Sequence, residues 1–108
     1  MSISKTPPAP YYAVIFTSVR TDGDNGYAIL ADRMLELSAE QKGYLGMEHA
    51  RDANSGITVC YWSSLESIRI WRENAEHKLA QQKGFETFYK SFATRICKVE
   101  RDTFFEKP

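Results

Sequence analysis

The sequence predicts one α+β domain in the order β-α-β-β-α-β, and three observations carry that prediction. Short runs rich in β-branched and aromatic residues occur at Tyr11–Val19, Tyr44–Arg51, Ile57–Trp62 and Arg95–Phe105, as strands require. Between them lie two stretches whose apolar residues recur every three or four positions, the period of a helix with one buried face. Clusters of Gly, Asp, Asn and Ser separate the periodic segments. A chain of 108 residues can bury one modest core and is too short for two.

Pro7, Pro8 and Pro10 keep the first ten residues out of a helix interior or a central strand, so 1–10 reads as an extended, mobile arm, and the domain proper spans 11–105. Tyr11–Val19 is apolar on both alternating faces, the pattern of a strand covered on two sides. Thr21–Gly26 breaks it. Tyr27, Leu30, Ala31, Met34 and Leu37 then mark the first helix, with Asp24 or Asn25 as its N-cap and Gly43 as its stop. Tyr44–Arg51 and Ile57–Trp62 flank the turn Asp52–Gly56, which pairs them as an antiparallel hairpin. Ser63-Ser-Leu-Glu66 has the form of a capping box, so the second helix starts beside Ser63 with Leu65, Ile68 and Trp71 inward. A further helical stretch runs through Leu79, Ala80, Phe85, Phe88 and Tyr89, interrupted near Gly84, before the last strand at Arg95–Phe105.

This order is the ferredoxin-like arrangement, a four-stranded antiparallel sheet with its helices on one face. The chain offers no second layer for the other face. A homodimer with sheets packed face to face is the simplest way to bury an apolar first strand.

Composition excludes several function classes. Lys plus Arg and Asp plus Glu each number 14, and the basic residues form no stripe, so a nucleic-acid partner is not expected. No apolar run approaches the roughly 18 residues of a membrane span, and the N-terminus lacks the apolar middle of a signal peptide; a cytoplasmic protein is expected. Cys60 and Cys97 lie in separate predicted strands without metal-ligand spacing and read as two buried free thiols. No nucleophile elbow, phosphate loop or dinucleotide fingerprint is present.

The candidate functional residues are the two histidines and the aromatics. His77 follows Trp71 by six residues, roughly 240° around a continuous helix at ~100° per residue, so the two share a face only if the helix breaks near Asn74. With such a break His77 is a base, a substrate-positioning group or an iron ligand; otherwise it is a structural hydrogen-bonding residue. His49 reads as a sheet-face or interface residue. Trp62 and Trp71 are core anchors or, with Tyr61 and Phe88, a flat wall for a polycyclic ligand. Glu48-His49 and Glu76-His77 diverge in direction, which argues against a metal site at either pair.

The runs Tyr12-Ala-Val-Ile-Phe-Thr-Ser18, Gly43-Tyr-Leu-Gly-Met-Glu48, Ile57-Thr-Val-Cys-Tyr-Trp62-Ser, Trp71, His77-Lys-Leu-Ala80 and Arg95-Ile-Cys-Lys-Val-Glu100 resemble the antibiotic biosynthesis monooxygenase-like domains. The resemblance covers about Tyr11 to Phe105. It implies a dimeric α+β barrel and two possible activities. Some members oxidise aromatic substrates without metal or flavin, drawing electrons from the substrate itself. On that pattern no cofactor is needed, Trp71 is a wall, His77 the base, and Ser18, Trp62, Phe88 and Tyr89 contact an aromatic ligand. Other members bind and degrade haem through an Asn, Trp and His triad. Here Trp71 matches, but the first strand offers Thr17 and Ser18 in place of Asn, and His77 stands about one turn before the ligand position, which falls near Gln81. The remaining expectation is a non-catalytic dimer that binds a small molecule.

Overall fold

The computed structural model describes residues 1–74 and 87–108. Its elements are β1 (Tyr11–Arg20), α1 (Tyr27–Ala39), β2 (Tyr44–Arg51), β3 (Ser55–Trp62), α2 (Leu65–Glu73) and β4 (Tyr89–Val99). The strands form one antiparallel sheet in the order β2-β3-β1-β4, so the expected ferredoxin-like α+β arrangement is present. The second helical stretch expected around Leu79, Ala80, Gly84 and Phe85 falls outside the described residues, as does His77.

Central placement of β1 follows from its composition, since a strand with two apolar faces and two hydrogen-bonded neighbours loses nothing to water. Val14 pairs with Cys60 on one side and Ile96 on the other, and Ala13 with Tyr61 and Cys97. Because side chains alternate, the register sorts the sheet into two faces. Tyr12, Val14, Phe16 and Ser18 share the first with Trp62, Cys60 and Thr58. Both helices pack there, around a core of Trp62, Ile68 and Trp71 supported by Met34, Leu37 and Tyr44. Burying a side chain the size of Ile68 stabilises the fold by about 1.5–3 kcal/mol.

The second face carries Ala13, Ile15 and Thr17 beside Tyr61, Val59 and Ile57. None of the described helices covers it, and Ile57 is 51% exposed. At one end the chain termini close over it. Thr6 donates to the Tyr11 hydroxyl (2.9 Å), which donates to Asp102 (2.6 Å). Tyr61, edge-on to Tyr11, donates to Glu48 (2.6 Å), and Glu48 also accepts the Ser4 amide (2.9 Å). The arm read from sequence as mobile is therefore fastened to β2 at Ser4, whose hydroxyl also reaches Met47 O.

Local signals hold with shifts. The α1 N-cap is Gly26, not Asp24 or Asn25, but the Asp24 carboxylate still accepts the Gly26 and Ala28 amides. The α2 N-cap is Ser64, not Ser63: its hydroxyl accepts the Ser67 amide, while Glu66 pairs with Arg69 and does not reach back to close a box. That rotation leaves Leu65 54% exposed, so the inward stripe is Ile68 and Trp71 alone. Gly43, at φ +90°, takes the left-handed conformation after α1, and a Cβ there would collide with the Ser63 and Ser67 side chains. The last strand begins at Tyr89 and ends at Val99, six residues earlier than expected at each end. Cys97 is exposed and not buried as expected, because it faces the uncovered side of an edge strand.

Candidate functional site

Between the first sheet face and α1 lies a cavity of about 220 Å³. Its floor is Val14 and Phe16 of β1, Thr58, Cys60 and Trp62 of β3, and Phe92 and Thr94 of β4. Its roof is Tyr27, Leu30, Ala31, Met34, Leu35 and Ser38, the apolar stripe of α1, while Trp71 and Arg72 of α2 and the segment Phe88–Tyr89 close the ends. Volume is below the ~300–1,000 Å³ typical of drug-sized pockets, which suits a small flat ligand.

One end is built from tryptophan. Trp62 and Trp71 stack at 6.3 Å with rings 25° apart, and Tyr44 meets Trp62 edge-on. Trp62 is fully buried, yet among the described residues its indole N–H has no acceptor. An unmade hydrogen bond of this kind costs about 1–3 kcal/mol.

The other end is built from tyrosine and phenylalanine. Tyr89 touches Phe16, Tyr27 and Phe92, all at ring separations of 5.5–5.8 Å. Its hydroxyl donates to Tyr27 (3.4 Å), and burial, followed by that contact, pushes its pKa up, so it stays protonated. Arg20 is buried beneath Tyr27, its guanidinium carbon 3.7 Å from the ring centre.

The expected site residues divide on this geometry. Trp62, Trp71, Phe88 and Tyr89 line one cavity. Ser18 lies on the same sheet face but outside the lining, 1% exposed, with no hydrogen-bond partner for its hydroxyl among the described residues. Phe88 and Tyr89 both read as helical in the sequence; Phe88 is indeed in a helical turn that leads into β4, whereas Tyr89 reaches the cavity from β4 itself. His49 is exposed on the edge strand β2, and His77 lies outside the described residues. The sequence reading missed Tyr27 and Met34 as cavity walls, taking them only for core, and missed Arg20, Arg51 and Arg72 altogether. Their relevance depends on contacts between segments far apart in sequence.

A haem would need an axial ligand, and the described lining supplies none. It contains no histidine, and burial pushes the Cys60 thiol up to about 11, leaving it protonated and a poor iron ligand. Among the described residues no group of three or more His, Cys, Asp or Glu could hold a metal ion. None of the described helices is long and apolar enough to cross a membrane.

No family model matches the chain. The uncharacterized protein YqjZ of Bacillus subtilis (strain 168) is 48% identical over 106 residues, which cover 97% of this chain and 93% of YqjZ. Among solved structures, a variant of SnoaB, a cofactor-independent oxygenase from Streptomyces nogalater, superimposes with a TM-score of 0.76 at 13% identity, covering 91% of this chain and all of SnoaB. A Nitrosomonas europaea protein provisionally assigned as an antibiotic biosynthesis monooxygenase gives 0.68 at 12% identity, over 86% of this chain and 92% of that one. At such identities the likeness is one of fold.

Proposed function

This chain belongs to the family of Bacillus subtilis YqjZ and has the fold of the antibiotic biosynthesis monooxygenase-like proteins, and from that premise we propose that it binds a flat aromatic molecule in the sheet–helix cavity and oxygenates it without a cofactor. The observation that carries the reading is the cavity itself, with stacked Trp62 and Trp71 at one end and Phe16, Tyr89 and Phe92 at the other. Such walls hold a ring system by its faces.

In this reading the ligand supplies the electrons. Trp71, Trp62, Phe88 and Tyr89 hold the ring, Ser18 supports the wall behind Phe16, and His77, placed by its sequence position past Trp71, removes the ring proton that makes the substrate electron-rich. With anthrone as probe, the methylene carbon loses two hydrogens and gains one oxygen atom as a carbonyl, and the second oxygen atom leaves as water. All four electrons come from anthrone, so no metal or flavin enters the balance. General-base help of this kind contributes about 10²–10⁴ in rate.

We further propose that two copies associate through the uncovered sheet face, and that the protein works in the cytoplasm, where Cys60 and Cys97 stay reduced. Oxygen uptake with anthrone in an electrode cell tests the activity. Wild type should consume oxygen above the buffer rate, with His77→Ala and Trp71→Ala slowed at least tenfold. Wild-type uptake equal to buffer would reduce the proposal to a non-catalytic binding dimer. Adding haem should produce no Soret shift that His77→Ala abolishes.

A further inference from the structure

We propose that Arg20, which lies outside the cavity lining, is the positioning residue of the cavity's tyrosine end: it seats Tyr27, Phe88 and Tyr89, and through those walls sets how tightly a ligand is held. The inference rests on the cavity reading above and adds a residue that acts on the ligand only through others.

Hydrogen bonds carry the first part of the argument. Arg20 closes β1 and is 8% exposed, and burying a guanidinium is costly unless its hydrogens are used. Here they are used. Nε donates to Phe88 O at 2.8 Å, and Nη2 reaches Gly23 O at 3.3 Å and Asp24 O at 3.4 Å. Phe88 O accepts again from the Thr21 amide at 3.0 Å, and the Thr21 hydroxyl donates to Thr87 O at 2.7 Å. The end of β1 therefore ties down both the turn that enters β4 and the loop that enters α1.

The flat face of the guanidinium is used as well. Its carbon stands 3.7 Å from the centre of the Tyr27 ring and 5.9 Å from that of Phe88, and the two rings meet edge-on at 5.5 Å. Both rings line the cavity. Stacking on a ring while donating in its own plane is a combination that arginine offers and lysine lacks.

The pairing of β1 with β4 breaks at the same place. Val19 stands opposite Ser91 but Arg20 opposite Tyr89, so Lys90 is an extra residue in β4. Phe92 and Thr94, opposite Ser18 and Phe16, line the cavity, and strict alternation from them would turn Lys90 toward it and Tyr89 away. The bulge reverses this. Lys90 is exposed, and Tyr89 lines the cavity against the Phe16 and Tyr27 rings. Arg20 thus faces the residue that the bulge re-aims and lies under the ring that this residue touches.

The test follows anthrone oxygenation in Arg20→Met, which keeps only the stem, and in Arg20→Lys, which keeps the charge without the fork and guards against a first variant that does not fold. Lost positioning weakens binding and spares the chemistry, so KM should rise about tenfold in Arg20→Met and about threefold in Arg20→Lys, with kcat within about twofold of wild type. A merely structural role lowers the folded fraction, and kcat with it, at unchanged KM. That pattern would overturn the proposal. A wild type that consumes no oxygen above the buffer rate would sink the oxygenase reading alone, and Arg20 is then judged by ring contacts. Nuclear Overhauser effects from the Tyr27 ring to those of Phe88 and Tyr89 should be present in wild type and lost in Arg20→Lys, with the amide spectrum away from this end unmoved. Contacts that persist in Arg20→Lys would overturn the positioning role.

Discussion

The two faces of the sheet start from similar apolar strands and are finished in opposite ways. On the first, α1 and α2 cover Val14, Phe16, Cys60 and Trp62 but leave a cavity between them. On the second, Ile15, Val59 and Ile57 have no described helix above them, and the chain termini, tied through Tyr11–Asp102 and Tyr61–Glu48, close one end, where Ala13 is 3% exposed. The difference teaches that apolar alternation specifies which residues leave water without specifying what covers them. A face covered by the chain's own helices can keep an internal space for a ligand. A face left open calls for a partner.

Breaking the covered face should cost most. Trp62→Ala removes a fully buried indole and should destabilise the protein by about 3–5 kcal/mol in urea unfolding, far more than any single change on the open face. A smaller effect separates the faces by pH. Burial pushes Cys60, in the covered face, from 9.0 up to about 11, and Tyr44 and Tyr89 are raised by the same cause. The native state thus retains protons the unfolded chain releases, so stability is complete below about pH 9 and falls as pH rises through 9 to 11. For Cys60 alone the loss is on the order of 2–3 kcal/mol by pH 11. Unfolding midpoints at pH 8 and pH 10.5 should diverge, and Cys60→Ala should narrow the gap.

On the open face, Ile57→Glu should leave circular dichroism unchanged while weakening self-association at least tenfold, about 1.4 kcal/mol, in sedimentation equilibrium. The smallest effect belongs to the clasp. Tyr61→Phe deprives Glu48 of a 2.6 Å donor and should cost about 1 kcal/mol, with faster proteolysis of residues 1–10 as the readout.

Much of this architecture was legible because β1 and β3 are dense in β-branched and aromatic residues, α1 repeats its apolar residues every three or four positions, and the turn at 52–56 joins β2 to β3. β4 was misplaced for a physical reason: Phe85, Phe88, Tyr89 and Phe92 recur at helical spacing, while Tyr89 and Phe92 belong to a strand whose register shifts beside Arg20. The cap moved from Ser63 to Ser64 because two adjacent serines offer the same chemistry, and the one-residue step turned Leu65 outward. The candidate site was half legible. Large aromatics announce a wall, so Trp62, Trp71, Phe88 and Tyr89 could be named. The Tyr27 cluster could not, since Arg51 lies 24 residues from Tyr27 and Tyr89 lies 62, and only the folded sheet brings them together.

The most direct test of the central claim is a methyl NMR titration with 2-naphthoate, which reads both faces in one spectrum. The account predicts saturable shifts for Val14, Leu30 and Met34 in the cavity, with Ile15, Ile57 and Val59 unmoved. Shifts centred on Ile15, Ile57 and Val59, or no saturable shift at all, would contradict it.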